Sequence, residues 1–202
     1  NAFSPTIINS GTITASAGYS TVGAITLSQN AENEEPLGSG AIITNSGTIS
    51  ALGTNAVGII IGDGTEVYND VTITNSGTIS GVNDSIGITG PLGDGSGTTG
   101  INIITKGEAT YTGEIEMDSA AATMTLDCSI TKDMDIEIHG KTNMTVTNNL
   151  CGNDTYAILD NSKNADADNS ATDGFLRIYG EDLEIAQNNP KYRSENVLTK
   201  LR

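Results

Sequence analysis

The chain has 202 residues, enough for one substantial domain, and carries a formal net charge of −16. Its first basic side chain is Lys106, so the whole preceding stretch offers no cation to a phosphate backbone or to an anionic bilayer. That excludes nucleic acid as a partner and adsorption to an acidic membrane surface, and it leaves a soluble, self-repelling surface.

Aromatic residues are scarce, with no Trp, two Phe and six Tyr, while Gly, Asn, Thr and Ser abound. Such a composition suits a thin core of Ile, Val, Leu and Ala with polar corners. Residue 1 is Asn, with no basic and apolar leader after it, so any signal peptide is expected either to have been removed or to lie outside this sequence. No run of about 18 apolar residues exists to span a bilayer as a helix.

The first element is Ile7-Ile8-Asn9-Ser10-Gly11-Thr12-Ile13-Thr14, followed by a strand at residues 22–27. Residues 28–40 form a polar insertion with Pro36 and three glutamates, which reads as a loop available for contacts. A close variant follows as Ile43-Thr44-Asn45-Ser46-Gly47-Thr48-Ile49-Ser50, and this returns letter for letter as Ile73-Thr74-Asn75-Ser76-Gly77-Thr78-Ile79-Ser80. A fainter copy begins at Ile104. A motif recurring at such steps signals a solenoid. Ile, Thr and Val give it β character, and Asn-Ser-Gly makes a tight corner between two strands. Copies stacked with Ile over Ile, Ile43 with Ile73 and Ile49 with Ile79, form a parallel β-helix. Asn9, Asn45 and Asn75 then occupy equal positions and are expected to form a ladder of stacked amides. Later strands at residues 56–61 and around Gly87 repeat a looser register with the strand around Gly23. Gly62-Asp63-Gly64 and residues 93–97 read as turns, since neither matches a calcium-binding nonapeptide.

Beyond Lys106 the motif fades into alternating segments at residues 114–117, 124–127, 135–138 and 144–147. Their period of two points Ile and Met inward and Glu, Asp and Thr outward, which predicts continued β-helix with shorter coils. Cys128 and Cys151 lie 23 residues apart, about one such coil. They form either a disulfide between adjacent coils or two buried free thiols. A strand at residues 154–160, a loop at 161–173 and strands at 175–180 and 183–185 follow. Ser194 is a good N-cap with an acid after it, so residues 194–202 read as a helix start. The expected organisation is a β-helix over residues 1–185, with repeat coils to residue 105 and shorter coils after it. Residues 186–202 are a cap or linker.

The Ile-Thr-Asn-Ser-Gly-Thr-Ile-Ser copies, together with the tail Ala186-Gln187-Asn188-Asn189-Pro190-Lys191-Tyr192-Arg193-Ser194-Glu195-Asn196, resemble passenger regions of type V bacterial autotransporters. The nearest likeness is to the vacuolating-cytotoxin-like autotransporters of epsilonproteobacteria. The resemblance spans essentially the whole chain and implies an all-β, right-handed, single-stranded parallel β-helix exported to the cell surface. It further implies that this is the C-terminal passenger section, which seeds folding outside the cell, without its translocator barrel. The chain lacks the long apolar, Gly-repeat segment of the toxin, so membrane insertion by this part is not expected.

Few residues offer chemistry. His139 is the sole histidine, and it falls on the outward face of its strand. No nucleophile elbow, zinc-binding His-Glu-x-x-His or phosphate-binding loop occurs. No catalytic residue, cofactor or metal is therefore expected. Asp133, Asp135 and Glu137 share one outward face, as do Glu114 and Glu116. Such carboxylates can act as acid and base on a glycoside or hold calcium, and they are equally what a solvated acidic strand shows. The expected function is a non-enzymatic adhesin or stalk. Its loops at residues 28–40, 90–98 and 161–173 would meet a host receptor or glycan, and its open end allows self-association. The alternatives are a carbohydrate-active β-helix enzyme and a toxin subunit.

Overall fold

The computed structural model describes residues 4–18, 21–27, 40–62, 70–88, 100–117, 121–139, 144–151, 156–160, 174–179 and 196–198. Among these the protein is all-β, with no helix and no closed barrel. Its strands are β1 (Thr6–Asn9), β2 (Thr12–Ser16), β3 (Val22–Leu27), β4 (Ile42–Asn45), β5 (Thr48–Leu52), β6 (Ala56–Ile61), β7 (Thr72–Asn75) and β8 (Thr78–Ile88). There follow β9 (Ile101–Thr105), β10 (Thr110–Glu116), β11 (Ala122–Leu126), β12 (Met134–His139), β13 (Met144–Asn148), β14 (Tyr156–Asp160), β15 (Gly174–Tyr179) and β16 (Asn196–Leu198). The contact loops expected at 90–98 and 161–173, and all of 28–40 except Gly40, lie outside the described residues, as do Ser194 and most of the tail.

Each repeat copy contributes one strand before the Asn-Ser-Gly corner and at least one after it. The strands before the corner pair in parallel as β1-β4-β7-β9-β11-β13, a six-stranded sheet. Its register aligns Ile7 with Ile43, Ile43 with Ile73 and Ile73 with Ile103. The strands after the corner build a ten-stranded sheet, in which Ile13, Ile49 and Ile79 are aligned. In the first two copies this second layer has two separate ladders, β2 with β5 and β3 with β6. They merge at β8, whose 11 residues pair with β5 at one end and β6 at the other.

The pairing follows from the side chains. Inward positions carry Ile in copy after copy, and Ile43, Ile49, Ile59, Ile73, Ile79, Ile86, Ile103 and Ile115 are fully buried in one continuous core. A register slip of one residue would turn every one of them to solvent, so the pattern fixes the alignment. The fourth copy shows this. Its faint sequence likeness begins at Ile104, but the structure aligns Ile103 with Ile73 and Thr105 with Asn75. Burial of Ile103 at the core position outweighs the letter match. Likewise, Gly23, Gly58 and Gly87 do not stack. Gly23 faces Val57 and Gly87 faces Ile60, while Ile25, Ile59 and Ile86 share the aligned inward position.

After Thr105 the parallel pairing continues at shorter steps. Ile101 aligns with Ala122, and Ala122 with Met144. The last strands depart from the expected continuation. β15 runs antiparallel to β12, and β14 antiparallel to both β15 and β16. Residues 196–198, expected inside a helix, are the strand β16. Asn196, Val197 and Leu198 pair with Leu159, Ile158 and Ala157. The open edge of β14 supplies backbone partners that an isolated helical turn, with its costly nucleus, does not have.

The second and third corners leave no room for a side chain. A Cβ built on Gly47 would collide with the backbone carbonyl oxygen of Gly11, and one on Gly77 with that of Gly47. Neither glycine has positive φ, so close approach alone demands them. Gly47→Ala is expected to lower stability by about 1–3 kcal/mol through the forced backbone shift. Denaturant titration of the purified variant checks this; an unchanged midpoint would contradict the packing.

Candidate functional site

Three constellations of polar side chains stand out, and the first is internal. At each corner Asn interrupts the alternation of Ile and points into the stack. Asn45 and Asn75 are fully buried and Asn9 nearly so. Asn9 Nδ2 donates to Asn45 Oδ1 at 2.8 Å, and Asn45 Nδ2 donates to Asn75 Oδ1 at 2.9 Å. The same nitrogens also donate to backbone carbonyls of their neighbours, Asn9 to Thr48 O and Asn45 to Thr78 O, both at 3.0 Å. On the acceptor side, the backbone N–H groups of Gly11 and Gly77 donate to Asn9 Oδ1 and Asn75 Oδ1. The amides of Asn9 and Asn45 thus bond within their own corner and to the next copy, which is what a buried polar group requires.

The column ends where the sequence changes. Thr105 takes the place of Asn, and Tyr111 takes the place of Ile79 above it. Their hydroxyls lie 3.0 Å apart, both buried. Burial pushes the Tyr111 phenol up to about 12, against the opposing effect of its contacts with Thr105 and, more weakly, Asn75. Asn75 Nδ2 itself has no partner in hydrogen-bond geometry among the described residues. The sequence reading missed this terminus. Its signal was the 30-residue step, which carries Asn75 to Thr105 as it carries Asn45 to Asn75.

The second constellation lies on the outer face of the ten-stranded sheet. Asp84, Glu114, Glu116, Glu137 and His139 rim a hollow of about 610 Å³ with Val82, Asn83 and Gly113. β8, β10 and β12 supply the residues, and alternation around buried Ile115 and Ile138 turns the acids outward. His139 Nδ1 stands 3.8 Å from Glu114 Oε2, an ion pair only when the imidazole is protonated. Of the carboxylates singled out from sequence, the structure brings Glu114, Glu116 and Glu137 together. Asp135 instead faces Arg177 of β15 at 3.7 Å, and Arg177 also lies over the Phe175 ring. Asp133 precedes β12 and does not line the hollow. Asp84 was missed; it lies opposite Glu114 at a point where the register of the β8–β10 ladder shifts, which the repeat spacing does not reveal. Among the described residues no group of three or more His, Cys, Asp or Glu side chains converges on a metal position.

The third feature is covalent. Cys128 and Cys151 form a disulfide, with Cα atoms 4.7 Å apart, just beyond the paired ends of β11 and β13. Asp127 shapes the turn before it. Its Oδ1 accepts hydrogen bonds from Ser129 N at 2.9 Å and Ser129 Oγ at 2.6 Å. Those two bonds, with Lys106 adding a smaller attraction, hold the Asp127 carboxyl below the usual carboxylate range.

No family model, curated protein or solved structure matches this chain.

Three outcomes are expected. Asn45→Ala removes one donor and one acceptor from a dry column, and should cost about 2–4 kcal/mol as the orphaned amides of Asn9 and Asn75 lose partners; equilibrium unfolding measures it. Reduction of the disulfide, or Cys128→Ser with Cys151→Ser, should cost about 3 kcal/mol by freeing a loop of this length in the unfolded chain. Tyr111 has a folded pKa above its unfolded value. Its contribution is therefore complete below pH about 10 and is lost as pH rises through about 12. Tyr111→Phe should remove that alkaline loss, as followed by circular dichroism across an alkaline titration.

Proposed function

We propose that this chain is a right-handed, single-stranded parallel β-helix acting as a non-enzymatic passenger fragment of a type V autotransporter. In this reading it is displayed at, or released from, a bacterial surface and serves as an adhesin or stalk. The observation that carries it is the Asn9–Asn45–Asn75 column, with in-register parallel pairing on both sides of the corner. Successive copies winding in one sense would stack these strands as coils, and parallel crossover connections favour the right hand. A rod held by backbone pairing along its axis is stiff and tolerates loop insertions, which suits a stalk that presents contact loops. The Cys128–Cys151 disulfide suits an oxidising compartment and so supports export. The antiparallel β14–β16 group would close one end of the ten-stranded sheet, in keeping with a C-terminal section that starts passenger folding.

The second reading, a carbohydrate-active enzyme, rests on the hollow that holds Glu114, Glu116 and Glu137. One experiment separates the two. The purified chain is incubated with host cells and with surface polysaccharides, and both retention and release of reducing ends are measured. Retention without release supports the adhesin. Release that disappears in Glu114→Gln and Glu137→Gln would replace it with the enzyme. The export route has its own test: the gene encoding the chain should also encode an outer-membrane β-barrel, and its lack would remove the autotransporter assignment.

A further inference from the structure

The first repeat copy has one unused face. Among the described residues, β1 pairs only with β4, β2 only with β5 and β3 only with β6. Ile7 and Ile13 are only half-buried there, whereas their counterparts Ile43 and Ile49 in the next copy are fully buried. The backbone polarity of this face is set. Ser46 N donates to Asn9 O and Thr48 N to Gly11 O, and one copy on, Ser76 N donates to Asn45 O and Thr78 N to Gly47 O, all at 2.8 Å. Ser10 and Thr12 hold the equivalent places in the first copy, so their N–H groups face the open side.

Gly11 gives an independent observation. Gly47 and Gly77 must be glycine because the preceding copy's corner carbonyl occupies the space of a Cβ. Among the described residues Gly11 has no such neighbour; a Cβ there would meet nothing within 4 Å. Nor does it have positive φ. Within this structure nothing demands glycine at residue 11. One further corner carbonyl on the open side would demand it.

We infer that this face is a docking surface for a polypeptide carrying one more Asn-Ser-Gly copy, laid parallel and in register on β1 and β2. The incoming Asn would donate its side-chain N–H to Asn9 Oδ1, as Asn9 does to Asn45 Oδ1. Its Asn and Gly carbonyls would accept from Ser10 and Thr12, its Ile residues would cover Ile7 and Ile13, and its corner carbonyl would rest on Gly11. The surface is continuous with an interface the molecule already makes twice. A second copy of this chain is a poorer fit. Its far end closes the ten-stranded sheet with antiparallel β14, β15 and β16, and the far edge of its six-stranded sheet, β13, leads into Asn149-Leu150 in place of Ser-Gly. The inference rests on the parallel pairing and is independent of export or adhesion.

The test adds a synthetic peptide with the sequence of residues 41–52 to the full chain and follows amide exchange residue by residue. Protection at Ser10 and Thr12 should rise about tenfold or more, with no change at Thr145 or Thr147 on the opposite edge. A scrambled peptide should do nothing. Gly11→Ala should leave the melting of the chain alone unchanged but weaken the peptide's effect at least about tenfold, by clashing with the incoming carbonyl. Unchanged exchange at Ser10 and Thr12, or equal binding to the Gly11→Ala chain, would overturn the inference. Protection that grows with protein concentration and needs no peptide would assign the face to a second copy and overturn it too. Exchange at Ser46 and Thr48, inside the stack, reports separately on the fold: rapid exchange there would refute the stacking itself.

Discussion

The constraint on which the rest depends is the buried amide at each corner. An asparagine inside an apolar stack is costly unless every donor and acceptor is used. Here Asn9 and Asn45 each donate to the identical Asn of the next copy at the same height, and to a backbone carbonyl of that copy. This ties the chain to one register. Apolar contact between Ile side chains favours stacking, but it is non-directional and tolerates sliding. The amide column does not. It selects the alignment that also places Ile43 over Ile73, Ile49 over Ile79, and Gly47 and Gly77 against the corner carbonyls of Gly11 and Gly47.

Where the column stops, the architecture changes. Thr105 and Tyr111 fill its last layer with a hydroxyl pair, and the strands beyond are joined at shorter steps. Without a corner amide the later copies need another clamp. The disulfide between Cys128 and Cys151 provides one beside β13, the edge strand of the six-stranded sheet. At the same end of the other sheet, antiparallel pairing by β14, β15 and β16 takes over from parallel stacking. The two ends are thus unlike: one carries a covalent clamp and a hairpin, the other presents the plain repeat edge.

Much of this was legible in the sequence because the repeat is exact where it matters. Asn9, Asn45 and Asn75, with their flanking Ile residues, give the strands, the corner and the register from letters alone. The fourth copy was read one residue out of place, because Ile104-Thr105 mimics Ile-Thr of the motif while burial acts through Ile103. The terminal strand β16 was read as a helix, because N-cap and charge signals describe local preference and carry no knowledge of the β14 edge waiting for a partner. Glu114, Glu116 and Glu137 were recognised as outward acids. Their meeting with Asp84 and His139 depended on which strands become neighbours, which alternation within single strands does not specify.

The stacked architecture requires identical asparagines to lie directly upon one another in a buried column. Solution NMR of the side-chain amides tests it most directly. The Nδ2 protons of Asn45 should show close contacts to Asn75 and to the Thr78 backbone, and should exchange with solvent far more slowly than exposed amides. Fast exchange of the Asn45 amide, with no contact to Asn75, would contradict the account.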